Sequence, residues 1–204
     1  MICFGKSPSD HSIQDYLDQC RDKDFNYSYV GCTSELIDQG TAPSGFRLDR
    51  YSIELGSGEE VFSRAIAAIK KWEMFHHSMA SLKWHDTPIE NGSMVAVVFG
   101  MLGVWTVNPA RIVYLLNPER QAGRIRQFGF AYGTVPGHIA IGEECFQVDW
   151  NQETDLVQFR ITVISRGGSF LSVVGKPVMT IQQKKFRRLA GSAMQRSTGE
   201  PEST

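Results

Sequence analysis

Charge of one sign is missing from this sequence: 21 lysines and arginines stand against 22 aspartates and glutamates, a formal net charge of −1. That balance removes the bulk electrostatic attraction by which proteins hold DNA, RNA or an anionic membrane, and no nucleic-acid partner is expected. Cysteine is scarce. Cys3, Cys20, Cys32 and Cys145 form no C-x-x-C pair and follow no metal-ligand spacing, so reduced thiols are the expectation. Long apolar runs are absent too: none approaches the ~20 residues needed to cross a bilayer, and Met1 to Ser7 lacks a charged start followed by an apolar stretch. A cytoplasmic protein without membrane insertion is expected. Gly56-Ser57-Gly58 matches neither a P-loop nor a dinucleotide fingerprint, and Glu59 and Glu60 already occupy the positive end of the helix that follows. No cofactor is expected.

The 204 residues fit one domain over 1–198, with an N-terminal segment 1–45 wrapped around it and a short disordered tail at 199–204. A short helix is expected from Ile13 to Cys20, and a strand from Phe46 to Leu55. From Glu59 to about His76, Val61, Phe62, Ala65, Ile66, Ile69 and Trp72 recur at three- and four-residue steps, which predicts a helix. After Pro88 the pattern changes to short β-rich runs divided by turn residues, near Met94–Phe99, Arg111–Leu116, Ile125–Thr134, Ile139–Trp150 and Leu156–Ser165. Gly167-Gly168 breaks the sheet. Pro177 opens a last helix whose stripe is Val178, Ile181, Phe186, Leu189 and Ala193. Strand, helix, several strands and a long helix form an α+β fold: a curved antiparallel sheet packed on the C-terminal helix, a helix-grip-like arrangement. Helices do not alternate with the later strands, which excludes a doubly wound parallel sheet.

Unusual residues concentrate on the hairpin G-F-A-Y-G-T-V-P-G-H-I-A-I-G-E-E-C-F, 129–146. Counting outward from Val135 and His138 pairs Tyr132 with Ile141 and Phe130 with Glu143. The apolar face further on, Phe146, Val148 and Trp150, has the parity of Glu144 instead, so a β-bulge near Gly142-Glu143 is expected. Tyr132, His138 and Glu143 or Glu144 are the candidate catalytic residues, a carboxylate serving as general base or gripping a polar head group. The competing reading has these glutamates solvated or paired with Arg111, Arg160 or Arg166. His76-His77 and His85-Asp86 invite a metal, but adjacent helical histidines point about 100° apart and do not converge on one ion. Ser165 lacks a paired histidine and acid and suits hydrogen bonding better than nucleophilic attack.

The runs Arg111–Tyr114, Gly129–His138 with its Y-G-T-x-P-G-H core, Gly142–Phe146 with G-E-E, and Gln182–Arg188 resemble an uncharacterised bacterial and plant family, DUF1990, over about residues 10–195. Ser165-Arg166 also matches, although the family usually continues with proline where this chain has Gly167. The resemblance implies that Tyr132, Gly133, His138, Gly142, Glu143 and Glu144 belong to the family pattern, and it implies no activity or cofactor. The element order is also similar to helix-grip folds of lipid-transfer and polyketide-cyclase-like proteins.

Three functions fit. The first is a module holding a small apolar or amphipathic molecule between sheet and last helix, walled by Phe128, Phe130, Phe146, Val148, Phe159 and Ile161, with Arg111, Ser165 and Arg166 at its polar margin. Its polar end is expected near the Val135-Pro136-Gly137 turn. The second is a hydrolase or isomerase of that shape with a glutamate base. The third is a scaffold with a filled core, which a packed interior would favour.

Overall fold

Alternation of apolar and polar side chains after residue 90 has the two-residue period of strands, and these segments pair into one antiparallel sheet that curls into a half-barrel. The computed structural model describes residues 1–36, 40–84, 86–101, 103–117, 123–167 and 176–199, of which 176–180 as helix backbone. The strands are β1 (Ile2–Phe4), β2 (Arg47–Ser57), β3 (Ala80–Lys83), β4 (Met94–Met101), β5 (Val104–Leu116), β6 (Ile125–Thr134), β7 (Ala140–Asn151) and β8 (Leu156–Gly167). Their order is β2-β8-β7-β6-β5-β4-β3, with β1 paired to β5. Helices α1 (Asp10–Cys20), α2 (Gly58–Lys70) and α3 (Lys176–Thr198) complete the fold. Helix α3 lies over the concave face against α2, β2 and β8, and α1 packs outside on β4 and β5. This is the expected helix grip. Residues 200–204 of the expected tail, and Gly168 of the expected break, lie outside the described residues.

Strand β5 begins seven residues earlier than Pro109 led the pattern to suggest. Backbone groups of alternate residues point to opposite neighbours, and Val107 N–H donates to Met1 O on the β1 side. Pro109 aims the same way, into the gap after β1 has ended at Thr106 and before β6 begins at Ala110, so its missing N–H costs no ladder bond.

Helix α2 stops six residues short of His76. Trp72 takes a left-handed backbone, φ 58°, and a 3-10 turn follows over Glu73–Phe75. The turn sends Trp72, Met74 and Phe75 into the grip, each at most 1% exposed. The Trp72 ring meets Phe130 at a centroid distance of 4.7 Å, and the Phe75 ring meets Phe146 and Phe186 at 5.5 and 5.6 Å. The stripe on α3 also differs from the expected one. Ile181 is exposed, whereas Phe186, Arg187, Ala190, Ala193 and Met194 are buried, and Val178 lies outside the described side chains. Arg187 turns inward because acidic groups await it there.

Candidate functional site

Strand parity separates the two adjacent glutamates. Along β7, Glu144, Phe146, Val148 and Trp150 face the grip, while Glu143, Cys145 and Gln147 face outward. The ladder runs Gly133↔Glu143, Tyr132↔Glu144 and Phe130↔Phe146 without a shift, so neither the expected bulge nor the expected register is present. The Val135–His138 turn itself is closed by His138 N–H to Val135 O at 3.1 Å, but the ladder does not continue directly from it: Gly142 N–H donates to the Thr134 hydroxyl at 2.9 Å, and Ile139 N–H to Asn108 Oδ1 at 3.2 Å. The sheet's bulges lie instead at Glu54/Gly56 and Ile112/Tyr114.

Outside, Glu143 is 2% exposed, and among the described residues its partners are hydrogen-bond donors rather than an arginine. It accepts from Tyr27 Oη at 2.6 Å, Gly31 N at 2.6 Å, Thr33 N at 3.0 Å and the Thr33 hydroxyl. Four donors from the N-terminal segment thus satisfy the oxygens of a buried carboxyl group, a structural clasp that holds the segment on the sheet. Arg111 belongs to the same clasp: it donates to Arg21 O and Lys23 O and lies over Phe25. Arg160 pairs with Asp149, and Arg166 lies over the Phe46 ring, exposed.

Inside, one cross-strand row carries Ile112, Tyr132, Glu144, Val163 and Asp49. Tyr132 donates to Glu144 Oε2 at 2.7 Å, and buried Arg187 reaches Asp49 at 3.8 Å from above. Arg47 bridges Asp49 and Gln183. Burial pushes the Glu144 carboxyl up to about 7, against the pull of the Tyr132 hydrogen bond and Arg187, yet the residue keeps partial exposure. Burial, then the charge of Glu144 and the hydrogen bond to it, raise the Tyr132 phenol well above its ordinary value, so it stays a donor. This row could exchange a proton near neutrality. His138 sits apart in the turn, with Nδ1 3.0 Å from both N and O of Ala140; burial lowers it to about 4, which makes it a neutral turn residue. Ser165 continues the row's edge, opposite Gly142 and Arg47.

The raised carboxyl has a testable sign. Between about pH 4.5 and 7 the folded protein holds a proton on Glu144 that the unfolded chain has released, so stability contributed here falls as pH rises through that window. Thermal melts of Glu144→Gln should match the parent near pH 4.5 and exceed it at pH 8. A constant difference would contradict the raised carboxyl.

Of the expected ligand wall, Phe130, Phe146, Val148, Phe159 and Ile161 are 0% exposed and packed in one cluster with Phe62, Trp72 and Phe75. Phe128 differs. It lines an open cleft of about 820 Å³ at the opposite end of the grip from the Val135–His138 turn. Ile89, Leu115, Leu116 and Pro88 supply apolar wall, and Lys70, Asp86 and Glu90 supply charge. Trp72 anchors the cleft's outer loop through Nε1–H to Thr87 O, 3.0 Å. The bulge after Ile112 matters here, because it reverses β5 so that Leu115 takes the parity of Phe130. No sequence signal marked this end, since Thr87–Asn91 meets Phe128 only through the fold. The metal candidates do not converge: His76 bonds Glu73, His77 accepts from Met79 N, and His85 lies outside the described residues. Among the described residues no helix is long and apolar enough to cross a membrane.

A UPF0548 protein of Dictyostelium discoideum is 34% identical over 197 residues, 91% of this chain and 90% of the relative. Another, from Arabidopsis thaliana, is 26% identical over 198 residues, 95% of each. Among solved structures, Ara h 8.0201 aligns with TM-score 0.48 and 9% identity, covering 76% of this chain and 98% of its own. Norcoclaurine synthase from Thalictrum flavum aligns at 0.45 and 9%, covering 78% and 90%. Likenesses this distant bear on neither activity nor ligand. The family model described as Domain of unknown function (DUF1990) matches residues 26–193, and with relatives matching over nearly their whole length, the chain belongs to that family.

Proposed function

We propose that this protein binds a small apolar or amphipathic molecule at the open end of its grip. The observation that carries the reading is the cleft of about 820 Å³, with Ile89, Leu115 and Phe128 beside the charged Lys70, Asp86 and Glu90. Ligand sites combine such apolar walls with a few polar groups in spaces of roughly 300–1,000 Å³. The filled centre moves the ligand from beneath α3 to the mouth, so Phe128 is the wall residue that touches it, and Phe130 and Phe146 support it from behind. Four free thiols suit a reducing compartment, and the reading places the protein in the cytoplasm.

Native mass spectrometry of protein purified from its own host should find a small molecule whose occupancy falls in Leu115→Trp, which sets a larger ring on the cleft wall. Protein that emerges empty, and whose melting temperature does not respond to octyl amphiphiles, would sink the reading.

A second reading has Glu144 as general base or acid with Tyr132 as donor, in a hydrolase or isomerase. Its support is the 2.7 Å hydrogen bond to a partly exposed carboxylate that titrates near neutrality. A co-purified molecule released chemically unchanged after prolonged incubation would count against it.

A further inference from the structure

We propose that the cleft at the mouth of the grip takes an organic cation, an ammonium-bearing amphipath, seated on the Phe128 ring where the Lys70 ammonium now lies. The inference rests on the binding reading above and adds the chemical class. Lys70 Nζ sits 5.5 Å from the Phe128 ring centroid. The quadrupole of an aromatic face attracts a cation at that range, and an ammonium desolvated there gains more than one in open water.

Lys70 closes α2 and reaches this ring although two carboxylates, Asp86 and Glu90, line the same cleft. Neither carboxylate forms an ion pair among the described residues. The cleft therefore holds one exposed lysine, whose ammonium lies over the Phe128 ring, and two exposed acidic residues along the same wall. A ligand ammonium that displaces Lys70 gains the ring and both carboxylates, while its tail covers Ile89 and Leu115. Lys70 is then an internal competitor that vacates the ring for solvent, where its ammonium is well hydrated.

The arrangement predicts the sign of a substitution. An anion would need Lys70, so Lys70→Gln would weaken it. A cation competes with Lys70, so Lys70→Gln should tighten it. Titration of the full chain with octyltrimethylammonium, octanol and octyl sulfate separates these outcomes.

The expected result is an order of preference led by the ammonium, roughly tenfold over octanol. Lys70→Gln should raise the ammonium's affinity severalfold, and Phe128→Leu or the pair Asp86→Asn and Glu90→Gln should remove the preference without removing octanol binding. Preference for octyl sulfate that disappears in Lys70→Gln would overturn the cationic class and leave the binding reading standing. Equal affinity for all three would do the same. Binding of none would overturn both.

Discussion

Glu143→Gln should lower stability by about 3 kcal/mol, with a fall in melting temperature of roughly 10 °C, whereas Glu144→Gln should leave the protein as stable as before or more so at pH 8. The contrast follows from what each carboxylate meets. Glu143 has four donors aimed at it, two of them backbone amides of a turn with no other acceptor in place. An amide at that position offers one oxygen, and its NH2 group faces Tyr27, Gly31 or Thr33, so donors stand opposite a donor in a buried site. Glu144 has a single described donor, and its charge is penalised by burial, so neutralising it relieves the fold. Tyr27→Phe, which withdraws one donor and keeps the ring, should cost a fraction of the Glu143→Gln loss. Equal destabilisation by Glu143→Gln and Glu144→Gln in parallel melts would mean that the clasp has been misassigned.

Trp72→Ala should cost about 3–5 kcal/mol. The indole is 0% exposed, stands edge-on to Phe130 and fills the centre of the grip, and its N–H ties down the loop of the cleft at Thr87. Trp72→Phe, which keeps one ring in place but loses the hydrogen bond and a small part of the buried volume, should cost about 1–2 kcal/mol. Urea midpoints at constant slope measure both. The pair also weighs the scaffold reading. If the filled core is the whole purpose of the fold, Trp72→Phe should leave any ligand capture at the mouth unchanged, because nothing is captured. If the cleft binds, loosening Thr87 should weaken capture beyond its effect on stability.

Much of the architecture is legible in the chain itself. The two-residue period of β6, β7 and β8, and the three- and four-residue spacing of α2, are local properties of the chain, and local sterics and burial suffice to turn them into strands and a helix. Parity along Phe146, Val148 and Trp150 even separated Glu143 from Glu144. The Val135–His138 turn is present, but a bulge inferred by counting outward from it is not, because the Thr134 and Asn108 side chains hold Ile139 to Gly142 away from the ladder, through bonds that span 8 and 31 residues. The break at Trp72 was likewise hidden, since nothing local distinguishes it from the next helical position. Its indole leaves the helix for a core made by strands β6 and β7.

The sequence by itself thus determined three helices, six of the eight described strands, their antiparallel pairing, the helix across the sheet and the hairpin on which the polar residues gather, because each depends on neighbours a few residues apart; the short β1 and β3 carry too little pattern to be read that way. Only the tertiary structure decided that Glu143 closes a clasp with residues more than 100 positions away, that Glu144 meets Tyr132 beneath Arg187, and that the grip is filled at its centre and open at Phe128. Those outcomes depend on which side chains arrive from distant segments to satisfy a buried charge or occupy a given volume, and that is settled by packing across the sheet rather than along the chain.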